Sequence, residues 1–155
     1  MRYTDIKIDK PVITIHVSGC SHACLNCNDI NIQDPREGKI FTENTLSEVV
    51  SLLDNEDMTH CIFRGGDPLY SVNRGRVCDI SRTLKAIFGN DKILCLHTGY
   101  LLDEIKNMHD PSIDELFNYI DVIIDNDKCL NEKEQSYYRV IHHKYHNEFV
   151  AMREE

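Results

Sequence analysis

Three thiols lie within one eight-residue stretch, Cys20-Ser-His-Ala-Cys24-Leu-Asn-Cys27, with the spacing C-x3-C-x2-C. Thiolates are the usual ligands of iron–sulfur clusters. A [4Fe–4S] cube normally takes four ligands, so three close cysteines can hold three irons and leave the fourth open to a substrate. A Cys3His zinc site with His22 or His16 as fourth ligand is a chemically reasonable alternative. The paired C-x-x-C knuckles typical of structural zinc are absent. A redox pair, or plain packing of small apolar side chains, are the remaining readings.

The chain has seven cysteines, and an odd count fits poorly with a closed set of disulfides. Cys61, Cys78, Cys95 and Cys129 show no ligand spacing and read as small apolar packers. His142, His143 and His146 cluster near the C-terminus, where a solvated tail or edge strand accounts for them better than a metal site. Two further segments could build a site. Gly65-Gly66-Asp67-Pro68-Leu69 is a turn by composition, and Thr98-Gly99-Tyr100 is a second, shorter one.

These motifs require elements to position them. Short β-branched runs alternate with amphipathic helical stretches, the pattern of βα units around a parallel sheet. Pro11 opens a first strand over residues 12–17, a tolerable place for proline. Thr45 and Glu48 can form a capping box, after which Leu46, Val49, Val50 and Leu53 share one helical stripe. Residues 61–63 read as a second strand. Val77, Ile80, Leu84, Ile87 and Phe88 mark a second helix that Gly89 can stop. A third strand is expected over 93–96 and a third helix over 101–108. A short helix capped by Ser112 and Glu115 follows Asp110–Pro111, then a fourth strand over 121–125 and a fifth over 138–141. The fold class expected is α/β, an open or partial β/α barrel with a mostly parallel sheet, formed as a single domain over residues 1–155. In such folds reactive groups gather in loops after the strand C-termini. Residues 19–27, 65–69 and 98–100 each follow an expected strand, so all three fall where one site can form.

Bulk composition narrows the function classes. A formal net charge of −9, from 26 acidic and 17 basic side chains, opposes sequence-independent nucleic-acid binding, which depends on Lys and Arg neutralising phosphates. It equally opposes a polybasic membrane attachment. No apolar run approaches the ~20 residues needed to span a bilayer, and residues 1–10 are unlike a secretory signal. A cytoplasmic location is therefore expected, where thiols stay reduced and serve as ligands, catalysts or core residues.

Taken together, the C-x3-C-x2-C loop behind a first strand resembles the signature of the radical-SAM superfamily. Within it, the short chain and His22 inside the first gap resemble the activating components of anaerobic (class III) ribonucleotide reductases. So do Gly38-Lys-Ile-Phe41-Thr42, the GGDPL segment at Gly65, and the TGY segment at Thr98. The resemblance runs over residues 12–126, with residues 19–28 as the cluster loop and residues 130–155 divergent from the family. It implies that Cys20, Cys24 and Cys27 hold a [4Fe–4S] cluster whose open iron binds S-adenosylmethionine. Reduction of the cluster would then release methionine and a 5′-deoxyadenosyl radical.

By the same resemblance, Gly65 and Gly66 present backbone groups to the methionine amino group, and Asp67 is an acceptor near the same ammonium. Thr98, Gly99 and Tyr100 would shape the cofactor pocket. Asp125 ends the fourth strand as an acidic residue does in the family, with Asn126 standing where the family has glycine. The implied task is to generate a glycyl radical on the large reductase subunit, with a flavodoxin-like protein as electron donor. Activation of another glycyl-radical enzyme, or small-molecule chemistry of the deazaguanine type, would use the same cluster. In another class, the chain would be a non-catalytic zinc or iron–sulfur module.

Overall fold

In the computed structural model of the protein, residues 1–20, 34–126, 136–142 and 147–152 are described. Cys24, Cys27, His22, Cys129, His143 and His146 lie outside them. Strand β1 (Arg2–Asp9) turns into β2 (Val12–Val17), and a two-residue strand β3 (Lys39–Ile40) precedes helix α1 (Glu43–Leu53). Then follow β4 (His60–Gly65), α2 (Arg74–Phe88), β5 (Ile93–His97), α3 (Leu102–Lys106), α4 (Pro111–Leu116), β6 (Val122–Ile124), β7 (Tyr137–His142) and β8 (Asn147–Ala151). All strands join one eight-stranded sheet in the order β3-β1-β2-β4-β5-β6-β7-β8.

The expectation of a mostly parallel sheet is corrected here. Only β2–β4, β4–β5 and β5–β6 are parallel, whereas β1–β2, β1–β3, β6–β7 and β7–β8 are antiparallel. The fold is a mixed α/β structure, with a parallel centre flanked by antiparallel hairpins. The hairpins escaped the sequence pattern for a physical reason. Along β1, charged Arg2, Asp5, Lys7 and Asp9 interrupt the apolar positions, and five of the last six residues are exposed, so little hydrophobic periodicity remains to read.

The parallel centre is built by alternation. In β2, Ile13, Ile15 and Val17 are fully buried while Thr14 and His16 between them are only half-buried. One face of the strand therefore enters the core, as the period-two geometry of a strand requires. Leu46, Val49 and Leu53 of α1, Val77, Ile80 and Leu84 of α2, and Cys61, Phe63, Leu94, Leu96 and Ile123 of the strands belong to the same core cluster. Ile87, expected on the apolar stripe of α2, is instead 53% exposed.

Two helices start earlier than their sequence signals suggested, by three residues at α1 and two at α4. The capping box of α1 is formed by Thr42 and Thr45, not by Thr45 and Glu48. Thr42 Oγ1 accepts from Thr45 N at 3.3 Å and Thr45 Oγ1 from Thr42 N at 3.1 Å. Buried Phe41 just before the cap fixes that position. At α4 the cap is Asp110 rather than Ser112, its carboxylate accepting from Ser112 N at 2.8 Å and Ile113 N at 3.3 Å. Pro111 then occupies the first helical position, where its missing N–H costs nothing. No helix among the described residues is long and apolar enough to cross a membrane.

Candidate functional site

Parallel strands β2, β4, β5 and β6 all end at one edge of the sheet, and their C-terminal loops carry the residues singled out by sequence. Cys20 lies three residues beyond the end of β2 and is partly exposed. The other described thiols, Cys61, Cys78 and Cys95, are buried and free of disulfides. Burial pushes the thiols of Cys61, Cys78 and Cys95 up to about 12. At Cys78 the carboxylate of Glu115, 3.0 Å away, adds to the same shift. Thiols that ionise so reluctantly are poor metal ligands, since the thiolate is the binding form. Among the described residues, no group of three or more His, Cys, Asp or Glu side chains is arranged to hold a metal ion.

The loop after β4 is pressed directly onto the loop after β2. Gly66 N donates to Val17 O and Asp67 N to Gly19 O, both at 2.8 Å. A Cβ on Gly66 would stand 2.4 Å from Gly19 O, a backbone atom that cannot swing aside. Gly65 has φ +109°, and a Cβ there would meet the Val17 backbone at 2.7 Å. Both glycines are thus required by the approach of two loops, and only a residue without Cβ permits it.

Asp67 is fully buried and its carboxylate bridges loops. Oδ1 accepts from Leu69 N at 2.9 Å and from Thr98 Oγ1 at 2.9 Å, and Oδ2 accepts from Gly99 N at 2.9 Å. A buried carboxylate is stable only when its lone pairs are met, and here the TGY loop meets them. The geometry gives Asp67 the part of a strut between the β4 and β5 loops, a role the sequence did not reveal. Thr98 is itself buried, and its N–H donates to Ile124 O at 3.0 Å.

Asp125 anchors the other side of the same loop. Its Oδ2 accepts from Leu102 N at 3.0 Å and its Oδ1 from Ser136 N at 3.1 Å. Leu101, at the cap position of α3, has no side-chain acceptor, so Asp125 satisfies the first N–H of that helix from a neighbouring strand. Asn126 has φ +56° and donates its N–H to Tyr100 O at 3.1 Å. Asparagine tolerates that left-handed conformation better than most other non-glycine residues.

Two positioning residues were missed by sequence reading. Ser18, fully buried, donates its N–H to Arg2 O at 3.0 Å and its hydroxyl to Glu37 O at 2.8 Å. It ties the residues after β2 to the start of β1 and to Glu37. Asn73, also fully buried, joins the loops after β2 and β4. No local signal marks either one, because their partners lie far away in sequence. His16, considered as a zinc ligand, sits on β2 opposite Asp5 and Arg64. Burial lowers its pKa, partly offset by Asp5. His142 lies in the β7–β8 hairpin with its Nδ1 3.0 Å from Asn147 Oδ1, as suits an edge hairpin.

Of the three clustered cysteines Cys20 lies among the described residues, and its partly exposed thiol is of the type that ligates iron–sulfur clusters. Next to it the backbone of Gly65 and Gly66 packs against that of Val17 and Gly19, and buried Asp67 and Asp125 hold the neighbouring loops. Residues 11–145 match the 4Fe-4S single cluster domain family. The anaerobic ribonucleoside-triphosphate reductase-activating protein of Enterobacteria phage T4 is 35% identical over 113 residues, spanning 73% of this chain and 68% of its own. The protein of the same name from Vibrio cholerae is 30% identical over 72% of this chain and 70% of its own. That from Pasteurella multocida is 32% identical over the same shares. No solved structure matches the chain significantly. By these matches the chain belongs to the 4Fe-4S single cluster domain family and to the anaerobic ribonucleoside-triphosphate reductase-activating proteins.

Proposed function

We propose that this chain is the radical-SAM activase of an anaerobic ribonucleotide reductase, generating a glycyl radical on the large catalytic subunit. The observation that carries this reading is the convergence of Cys20, the Gly65–Gly66 cradle and the TGY loop at one sheet edge, in a chain of that family. Cys20, Cys24 and Cys27 hold the cluster. When bound, the [4Fe–4S] cluster and S-adenosylmethionine supply one-electron cleavage of the sulfonium C–S bond, giving methionine and a 5′-deoxyadenosyl radical.

The chain's own residues bind and orient. An ammonium needs acceptors, and the N–H groups of Gly66 and Asp67 are already donated within the protein. The groups of this turn suited to a methionine amino group are therefore carbonyls. Asp67, Thr98, Gly99 and Asp125 hold the surrounding loops in register, and Tyr100 borders the same pocket. Residues 1–155 act as a single radical-SAM domain with 19–28 as cluster loop and 130–155 as its divergent end. The parallel strands β2, β4, β5 and β6 serve as the partial barrel. A flavodoxin-like protein in the cytoplasm supplies the electron.

The test is anaerobic incubation of the reconstituted protein with reductant, S-adenosylmethionine and the large subunit. Equal yields of methionine and 5′-deoxyadenosine, with a glycyl doublet in the EPR spectrum only when the large subunit is present, are expected. Cleavage with no protein radical would reject the proposed partner. Absence of cleavage would reject the activity.

A further inference from the structure

Asn73 immediately precedes α2, where an asparagine ordinarily turns its side chain onto the first N–H groups of the helix. Here it does not: no side-chain cap bond is formed, and its backbone is helical (φ −98°, ψ −35°) rather than extended. The amide is directed instead toward the site edge. Nδ2 donates to Ser18 O at 2.8 Å and to Asp67 O at 3.0 Å. Two carbonyls at those distances fix which end of the amide is nitrogen, since a flipped amide would set oxygen against oxygen. Oδ1 is buried and has no partner among the described residues. An asparagine that forgoes capping and leaves its own acceptor unpaired is placed for its two donated bonds.

Those bonds join the two loops that matter most. Ser18 is two residues before Cys20, and Asp67 closes the Gly65–Gly66 cradle. We infer that Asn73 is a positioning residue that clamps the root of the cysteine loop to the cradle, fixing where the first cluster ligand stands relative to the ligand-binding turn. The inference rests on the proposed function for what the loop holds. The clamp itself rests on the distances alone.

Capping and clamping predict opposite outcomes for one substitution. Aspartate caps a helix as well as asparagine does, so a mere cap would survive Asn73→Asp. A clamp would not, because a carboxylate would face the Ser18 and Asp67 carbonyls with no hydrogen to donate. Asn73→Ala removes the donors without adding repulsion and serves as the milder variant. Leu84→Ala, in the buried stripe of the same helix, serves as a control for general destabilisation.

The experiment has two readouts: melting of the metal-free protein, and the rate at which the reconstituted protein loses iron to a chelator. The expected melting order is wild type above Asn73→Ala above Asn73→Asp. Both Asn73 variants should lose iron on the order of tenfold faster than Leu84→Ala, as expected for losing buried hydrogen bonds at the loop root. Asn73→Asp melting with the wild type would overturn the clamp, as would iron loss no faster than in Leu84→Ala. If the wild-type protein takes up no iron, the proposed function fails while the melting order still decides Asn73.

Discussion

At the scale of single residues, the site depends on atoms that are missing as much as on those present. Gly66 and Gly75 make a matched pair. A Cβ at Gly66 would lie 2.4 Å from Gly19 O, whereas one at Gly75 meets nothing within 4 Å. Gly66→Ala should therefore force the β2 and β4 loops apart and abolish the spectral response to S-adenosylmethionine, and a normal response would refute the cradle. Gly75→Ala should stabilise the protein by up to about 1 kcal/mol, because alanine is the better helix former, with the response intact. The three-cysteine run and the Gly-Gly-Asp-Pro run stand out in sequence because each is a contiguous motif. Asn73 does not, since its key partner Ser18 lies 55 positions away. Asp67 stands out in the same run, but its bracing role is not visible there. Only the structure shows its carboxylate occupied by Thr98 and Gly99.

At the scale of elements, β2, β4, β5 and β6 were readable because buried parallel strands are dense in Val, Ile, Leu and Phe. β1 and β8 were not. Their stability comes from pairing with neighbours across the sheet rather than from a hydrophobic pattern of their own. The start of α4 was read two residues late for a related reason. Both Asp110 and Ser112 are acceptable caps; the Asp110 carboxylate, which caps here with Pro111 following it, also lies 2.9 Å from the guanidinium of Arg74 in α2. Arg74, then the N–H groups of Ser112 and Ile113, hold that carboxyl below its ordinary value of 3.8, against opposing desolvation. A lowered carboxyl pKa contributes stability above the unfolded value and loses it as pH falls through the folded one. Asp110→Ala should cost about 1 kcal/mol near neutrality, the usual worth of a cap. In chelator-treated protein its melting should converge on that of wild type as pH falls below 3.8. A gap that persists undiminished at acid pH would show that Asp110 acts through something other than its charge.

At the scale of the whole molecule, four strand ends and their loops make one rigid rim. Asp67 braces the loop after β4 to the loop after β5, Asp125 braces the end of β6 to α3, and Asn73 braces Ser18, after β2, to Asp67. The antiparallel hairpins at the flanks extend the sheet and reach the rim at its two sides, through Arg2 O at Ser18 N and through Ser136 N at the Asp125 carboxylate. The central claim is that a cluster on this rim has one iron open to S-adenosylmethionine. The most direct test is EPR of the anaerobically reconstituted, dithionite-reduced protein with and without S-adenosylmethionine, alongside Cys20→Ala and Cys95→Ala. The account predicts a reduced [4Fe–4S] signal that shifts on adding S-adenosylmethionine, is lost in Cys20→Ala and is kept in Cys95→Ala. A signal indifferent to S-adenosylmethionine, or one that survives Cys20→Ala unchanged, would contradict it.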